Sequence, residues 1–273
     1  MIADGRDIDR TLETARVIAL EAGAMALASY RLRPDIRLKG DADIVTLVDL
    51  ECEALIRRRI HESFRQDRLV AEEGGASGPE AAGTPTWHID PLDGTINYAH
   101  GHPMFSVSIA LVVEAEIVLG VVHAPVLGIT WTARRGGGAR RNGVPVRVST
   151  TASLSDALCA SGFPHNRRTH SDDNTAEWSA MVKRSQENRR CGSAAIDLAF
   201  VADGTYDGYW EKRLNSWDLA AGVLLVREAG GRVEDIDGRP IPPWPAEIVA
   251  SNGRVHDELL AVLRAAGPEP TSG

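Results

Sequence analysis

Trp87-His88-Ile89-Asp90-Pro91-Leu92-Asp93-Gly94-Thr95 reads as a buried strand that runs into a tight turn carrying two carboxylates. Pro91 fixes the backbone, and Gly94 permits a positive φ or a close approach. Such a turn can aim Asp90, Asp93 and a backbone carbonyl at one point. Hard cations such as Mg²⁺ take oxygen ligands of this kind. On its own, Asp-x-x-Asp-Gly is equally an acidic turn with an Asx cap.

Other acids stand at comparable places. Glu72 and Glu73 end the short apolar strand Leu69 to Ala71, where adjacent carboxylates repel unless they are solvated or hold a cation. Asp218 follows Trp217 at a helix start, where an N-cap is the plain alternative. Asp49 has a plain alternative too, as a first-turn helix acid. Four separate carboxylate sites at the mouths of strands or helices make a metal centre worth testing.

The 273 residues are 43% hydrophobic and 25% charged, an ordinary globular balance that allows one large domain or two packed ones. Basic residues number 30 against 38 acidic, a net charge of −8, which argues against a general nucleic-acid binder. Cys52, Cys159 and Cys191 form no CxxC pair, so neither a disulfide framework nor a cysteine-rich zinc site is expected. A reducing, cytoplasmic setting is the expectation. The start carries Asp4, Asp7 and Asp9 rather than a basic and then apolar run. The longest uncharged stretch, Ile117 to Ala133, is interrupted by Gly120, Pro125 and Gly128, so no membrane segment is expected.

Apolar spacing predicts helices over Ile8 to Tyr30 and Val48 to Phe64. Strands follow at Leu69–Ala71, Trp87–Asp90, Phe105–Val113, Ile117–His123 and Ile129–Ala133. Gly74 to Thr86 reads as a loop, either a lid or an ordinary surface segment. Asn142-Gly143 is a two-residue hairpin signal. After about residue 150 strands and helices alternate. Strands are predicted at Ala157–Ser161, Tyr206–Trp210, Arg232–Asp235 and Ile248–Ser251. Helices are predicted at Ala176–Glu187, Ala194–Ala202, Asp218–Ala229 and His256–Ala265. Residues 1–150 and 151–273 are therefore expected as two portions.

The ordered motifs resemble the inositol monophosphatase family of Mg²⁺-dependent, lithium-sensitive sugar phosphatases. The resemblance spans nearly the whole chain. It rests on Lys39 with Asp43-Ile44-Val45-Thr46 and Asp49, then Glu72-Glu73, then Asp90-Pro91-Leu92-Asp93-Gly94-Thr95 with Asn97-Tyr98. It continues through Gly192-Ser193-Ala194, Glu211, Trp217-Asp218 and Glu228-Ala229-Gly230-Gly231. The resemblance implies an α/β (α+β) layered sandwich, αβαβα, of the sugar-phosphatase type. Residues 1–150 would be an α+β portion with most metal ligands, and residues 151–273 an α/β portion completing the site.

By the same resemblance, Glu72, Asp90 and the Leu92 carbonyl bind a first Mg²⁺. Asp90, Asp93 and Asp218 bind a second, with a third, weakly held ion in reach of Glu72. Asp49 and Thr95 form the catalytic dyad that deprotonates water. The Gly94 and Thr95 amides cradle phosphate. Asp93, Ala194, Glu211 and Asp218 line the sugar side, and Lys39 stands near the phosphate or the flanking loop. Glu73, Gly192 and Ser193 are further candidates. The substrate expected is inositol 1-phosphate or a similar polyol phosphate, and the assembly a homodimer.

Runner-up substrates are histidinol phosphate, fructose 1,6-bisphosphate, NADP and 3′-phosphoadenosine phosphates. A non-catalytic interaction protein is the competing class. Its candidate basic patches are Arg57 to Arg59 and Arg167-Arg168, both more simply solvated. Departures from the family pattern include Ala71, Gly74, Ile96 and His88. Arg213 is expected to be a solvated surface residue, and His88 a strand residue facing a polar layer.

Overall fold

The first helix shows how the layers are built. Asp7 caps α1 (Ile8–Ser29), its side chain accepting from the Asp9 and Arg10 N–H groups. Ala15, Ile18, Ala19, Ala22 and Ala26 recur on one face and are fully buried. Small side chains there let the helix lie close to the sheet beneath it. The computed structural model describes residues 5–32, 36–38, 44–242, 244 and 247–266.

A hairpin of β1 (Ile36–Leu38) and β2 (Ile44–Thr46) leads into α2 (Leu47–Ser63). Then come β3 (Arg68–Ala71), β4 (Gly75–Ser77), β5 (Thr86–Asp93) and the one-turn α3 (Thr95–Ala99). β6 (Ser106–Val113), β7 (Glu116–Ala124), β8 (Ile129–Arg134), β9 (Gly138–Arg141) and β10 (Val144–Val146) complete an eight-stranded sheet. Its order is β10-β9-β8-β7-β6-β5-β3-β4. All its pairs are antiparallel except β3 with β5. Asn142 and Gly143, both at positive φ, close the β9–β10 hairpin as the sequence predicts.

The rest of the chain alternates. It runs β11 (Leu158–Ser161), α4 (Thr175–Val182), β12 (Glu187–Arg189), α5 (Ala194–Ala202), β13 (Gly208–Lys212), α6 (Ser216–Glu228), β14 (Arg232–Glu234), β15 (Glu247–Ser251) and α7 (His256–Ala266). A five-stranded sheet results, ordered β12-β11-β13-β15-β14. α1 and α2 cover one face of the large sheet; α5 and α6 fill the space between the two sheets; α4 and α7 pack together at the far face. The layers are αβαβα; one apolar core lies under α1 and α2, one surrounds α5 and α6 between the two sheets, and one lies under α4 and α7.

Gly120 of β7 makes the central layer possible. A Cβ there would stand 2.9 Å from the Ala221 Cα and carbonyl oxygen, so only glycine lets α6 settle on the sheet.

Three expectations change. The helix predicted to Glu187 stops at Val182. The chain turns on Ser185, whose hydroxyl donates to Met181 O, and Glu187–Arg189 instead pairs in parallel with β11 as an edge strand. The segment 74–86, expected as a loop or lid, begins as the edge strand β4. Arg57 pins it by donating to Ser77 Oγ at 2.8 Å and Gly75 O at 2.5 Å. The β1–β2 hairpin and α3 have too few residues for a periodic signal and were not predicted.

Candidate active site

β5 carries Asp90 just past the end of its pairing with β3, and its pairing with β6 shifts register between Asp90 and Asp93. That break lets the chain turn. The Leu92 N–H donates to Asp90 Oδ1 at 3.0 Å, so the turn itself aims the carboxylate. Gly94 follows at φ 95°, and a Cβ there would stand 2.9 Å from Met104 O. Thr95 then opens α3. Its hydroxyl lies 2.8 Å from Asp49 Oδ1 and 3.1 Å from Leu92 O.

Asp49 is fully buried at the third position of α2. Its other oxygen accepts from the Thr46 N–H at 2.9 Å and the Thr46 hydroxyl at 2.5 Å. Asp218 sits at the third position of α6 and accepts from the Asn215 N–H at 2.6 Å. It is therefore a first-turn acid, and Asn215 is the N-cap. Both carboxylates gain from the positive end of their helix. Glu211 on β13 takes a short hydrogen bond from the buried Tyr209 hydroxyl.

Asp93 ties the two sheets together. Its Oδ2 accepts from Ser193 Oγ at 2.5 Å and from the Ala195 N–H at 2.9 Å, both at the start of α5. Asn97 Nδ2 makes a parallel link, reaching Met104 O at 2.6 Å, Cys191 O at 2.8 Å and Gly192 O at 3.2 Å. Through these links one pocket is lined by Glu72, Asp90, Leu92, Asp93, Gly94 and Thr95 from the first part of the chain. The later part adds Gly192, Ser193, Ala194, Glu211 and Asp218. Asp49 stands behind Thr95 rather than in the wall. Glu73 is not in the wall; its N–H donates to Glu53 Oε2 at 2.8 Å. Lys39 and Asp43 lie outside the described residues.

The electrostatics have one dominant feature. Burial drives the Asp90 carboxyl well above its ordinary range, and Glu72, Asp93 and Asp218 push it further. Asp218 is raised in the same way, by burial first and its acidic neighbours next. Burial lifts Asp93 to about 6 against the pull of its Ser193 and Ala195 hydrogen bonds. Burial also lifts Glu211 to about 7, opposed by Tyr209 and Arg190. Asp49 is raised by burial and lowered by its hydrogen bonds from Thr46 and Thr95.

Carboxylates that raise one another in this way fit a site for a cation, which supplies the missing counter-charge. The donors are all oxygen, carboxylates with the Leu92 carbonyl, and this suits a hard ion. Among the described residues no three His, Cys, Asp or Glu form a ready-made cage. Water and substrate oxygens would have to complete the coordination, as Mg²⁺ commonly requires.

The profile of the Inositol monophosphatase family matches residues 7–267. The chain belongs to that family. It is 41% identical to the inositol-1-monophosphatase of Synechocystis sp. over 95% of this chain and 90% of that protein. It is 40% identical to the fructose-1,6-bisphosphatase/inositol-1-monophosphatase of Thermotoga maritima over 82% of this chain and 84% of that one. The solved inositol monophosphatase of Anabaena superposes with a TM-score of 0.88 at 39% identity, covering 97% of this chain and 99% of the other.

Inositol monophosphatases are metal-dependent phosphoric monoester hydrolases, and the layered sandwich expected from the resemblance is the fold this member has. Its pocket also contains residues that sequence reasoning missed or misplaced. Phe163, His165, Arg190 and Leu214 line it, and so does Arg213, which had been expected in solvent. Arg190 carried a usable signal, since it stands two residues before Gly192. Phe163 and His165 carried none, because only the fold brings that loop to the site. His88 is buried, with Nδ1 2.7 Å from Ser216 Oγ. It links β5 to the start of α6. In the first basic patch Arg57 pairs with Glu53, and Arg59 with Glu21 and Glu62.

Proposed function

We propose that this chain is a Mg²⁺-dependent phosphomonoesterase that hydrolyses inositol 1-phosphate, or a similar polyol phosphate, to the alcohol and inorganic phosphate. One observation carries the reading. Buried Asp90 and Asp93 from one sheet meet Asp218 and Glu211 from the other portion in a single pocket beside the Thr95–Asp49 pair. Glu72, Asp90 and the Leu92 carbonyl would hold one ion. Asp90, Asp93 and Asp218 would hold the second, and Glu72 a weakly bound third. When bound, such ions acidify water and neutralise charge on the phosphate and the leaving oxygen.

The protein side of the reaction follows from the hydrogen bonds. Thr95 commits its hydroxyl proton to Asp49 Oδ1 and turns a lone pair to the attacking water. As the water's oxygen bonds to phosphorus, its proton passes to Thr95 Oγ1, and the Thr95 proton passes to Asp49. The ester P–O bond opposite breaks in line, with no phosphoenzyme, and the departing alkoxide takes a proton from a solvent water to leave as the alcohol. The amides of Gly94 and Thr95 at the start of α3 hold the phosphate. Ser193 fixes Asp93, Gly192 sets the turn before it, and Ala194 and Glu211 face the polyol hydroxyls. Lys39 is kept as a candidate near the phosphate or the flanking loop, and Glu73 as a further candidate.

The reading gives residues 1–150 most of the ion ligands and residues 151–273 the rest of the site. It includes lithium inhibition at the second ion position, a cytoplasmic setting and a homodimer. Among the described residues no helix is long and apolar enough to cross a membrane. The test is phosphate release from inositol 1-phosphate with Mg²⁺, with and without EDTA. Release that EDTA abolishes supports the reading. No release by folded protein with Mg²⁺ present defeats it in favour of the interaction protein.

A further inference from the structure

β13 sends its side chains alternately to the two faces of the small sheet. Trp210 and Lys212 go to the far face, where Trp210 joins the core under α4 and α7 and Lys212 meets Glu177 of α4. Tyr209 and Glu211 go to the other face, towards α5 and α6. The Tyr209 ring is fully buried in the core around those helices. Its hydroxyl donates to Glu211 Oε2. Of the five residues of the strand only Glu211 is open in part, and it opens on the pocket.

A second contact holds the same carboxylate. Ser161, the last residue of β11, is the register partner of Trp210, so Gly162 comes level with Glu211. A Cβ on Gly162 would stand 2.1 Å from both Glu211 carboxylate oxygens, so the carboxylate lies where a side chain at 162 would be. Tyr209 donates to the carboxylate, and Gly162 leaves it room. Tyr209 is the rigid member of the pair, because packing locks its ring, whereas a glutamate side chain has more rotamer freedom to lose. Control therefore runs from Tyr209 to Glu211. Charge gives the contact a second use. Asp93, Asp197 and Asp218 face Glu211, and burial lifts its carboxyl to about 7, a rise that Tyr209 and Arg190 oppose. An ionised carboxylate accepts on both oxygens, so with Oε2 on Tyr209, Oε1 is left for a substrate hydroxyl.

We propose that Tyr209 is a positioning residue whose hydroxyl holds the Glu211 carboxylate as an acceptor turned to the pocket, and so sets a preference for substrates that bring ring hydroxyls. The proposal rests on the phosphatase reading and on Glu211 as the group that faces the polyol. Tyr209 does not line the pocket and acts only through Glu211.

The test compares inositol 1-phosphate with phenyl phosphate, which brings no ring hydroxyl, at saturating Mg²⁺. Tyr209→Phe removes only the donor. It should raise KM for inositol 1-phosphate about ten-fold, with kcat within about two-fold, since the binding lost is common to ground state and transition state. KM for phenyl phosphate should stay within about two-fold. In a Glu211→Ala background the same substitution should change neither substrate by more than about two-fold, because the group it acts through is gone. Gly162→Ala crowds the carboxylate from the glycine side and should repeat the split between the substrates.

An unchanged KM for inositol 1-phosphate in Tyr209→Phe overturns the proposal. Equal rises on both substrates, or the same rise in the Glu211→Ala background, also overturn it, because they mark a general loosening of β13. A Tyr209→Phe protein that fails to fold marks a purely structural hydroxyl and overturns it as well. If the wild type releases phosphate from neither ester, the phosphatase reading fails separately. Calorimetric binding of inositol 1-phosphate with Mg²⁺ then decides Tyr209 alone: equal Kd for wild type and Tyr209→Phe, or no binding by either, would sink it.

Discussion

The two walls of the pocket are made in different ways. The acidic wall is concentrated in one stretch, Asp90 to Thr95, and is held by its own turn: Leu92 N–H on Asp90, Thr95 on Leu92 O, and a glycine where nothing larger fits. The facing wall comes from short segments around residues 163–165, 190–194 and 211–218. They meet only because α5 and α6 are packed between the two sheets. Local chemistry therefore sets the charge cluster, and long-range packing sets what the cluster can act upon. Asp93 belongs to both, as a member of the cluster and as the acceptor for the Ser193 and Ala195 donors.

Asp93→Asn breaks that double role at its strongest point. The amide oxygen still accepts from Ser193 and Ala195, so the fold should persist. The charge is lost, and Mg²⁺-dependent phosphate release should fall by about 10³-fold or more, equivalent to about 4 kcal/mol. The metal-free variant should melt no lower than the wild type, because one repelling carboxylate is gone. The rise in melting temperature that Mg²⁺ gives the wild type should shrink. Unchanged turnover would dismiss the acidic wall as an ion site.

Thr95→Ala keeps the acidic wall and removes only the hydroxyl between it and Asp49. Loss of a positioned proton acceptor predicts a drop in kcat of roughly 10²-fold. Thr95→Ser should recover most of it. If alanine and serine behave alike, the hydroxyl plays no part in the proton path.

The same division explains what was legible in the sequence. Asp90, Asp93 and Gly94 were readable because their spacing alone specifies a turn. Asp218 and Asp49 were readable as helix-start acids, though only the fold shows that one faces the pocket and the other backs Thr95. The periodic elements gave the alternation after residue 150, and the full layered sandwich came from the family resemblance. Arg213 was not legible, because only the fold brings the end of β13, where its φ is 61°, to the pocket. The edge strand at Glu187–Arg189 was not, because three residues carry no period and their strand pairing comes from β11.

Asn97 tests the seam between the walls. Its Nδ2 serves three carbonyls, two of them at Cys191 and Gly192 across the seam. Asn97→Ala leaves those acceptors without their donor and should cost about 1–3 kcal/mol in urea unfolding. Stability equal to the wild type would mean that the Asp93 links alone hold the walls in register.

The smallest effect compares the sheets through their buried histidines. His88 in β5 and His256 at the start of α7 are both pushed down to about 4, in each case chiefly by burial, from the ordinary histidine value of 6.5. Both are neutral in the native state at neutral pH. Between pH 6.5 and 4 the unfolded chain takes up protons that the native histidines refuse. Their contribution is thus complete above 6.5 and is lost as pH falls towards 4. Each can remove at most about 1.4 kcal/mol per pH unit. Asp93 and Glu211, with raised pKa values in the metal-free protein, have the opposite sign and gain stability as pH falls. The wild-type curve alone mixes the two, so the comparison must be made against His256→Gln, remote from the pocket. Its stability should decline less steeply than the wild type's below pH 6.5, by up to about 1.4 kcal/mol per unit. Parallel curves would mean that His256 titrates in the folded protein as it does in the unfolded chain.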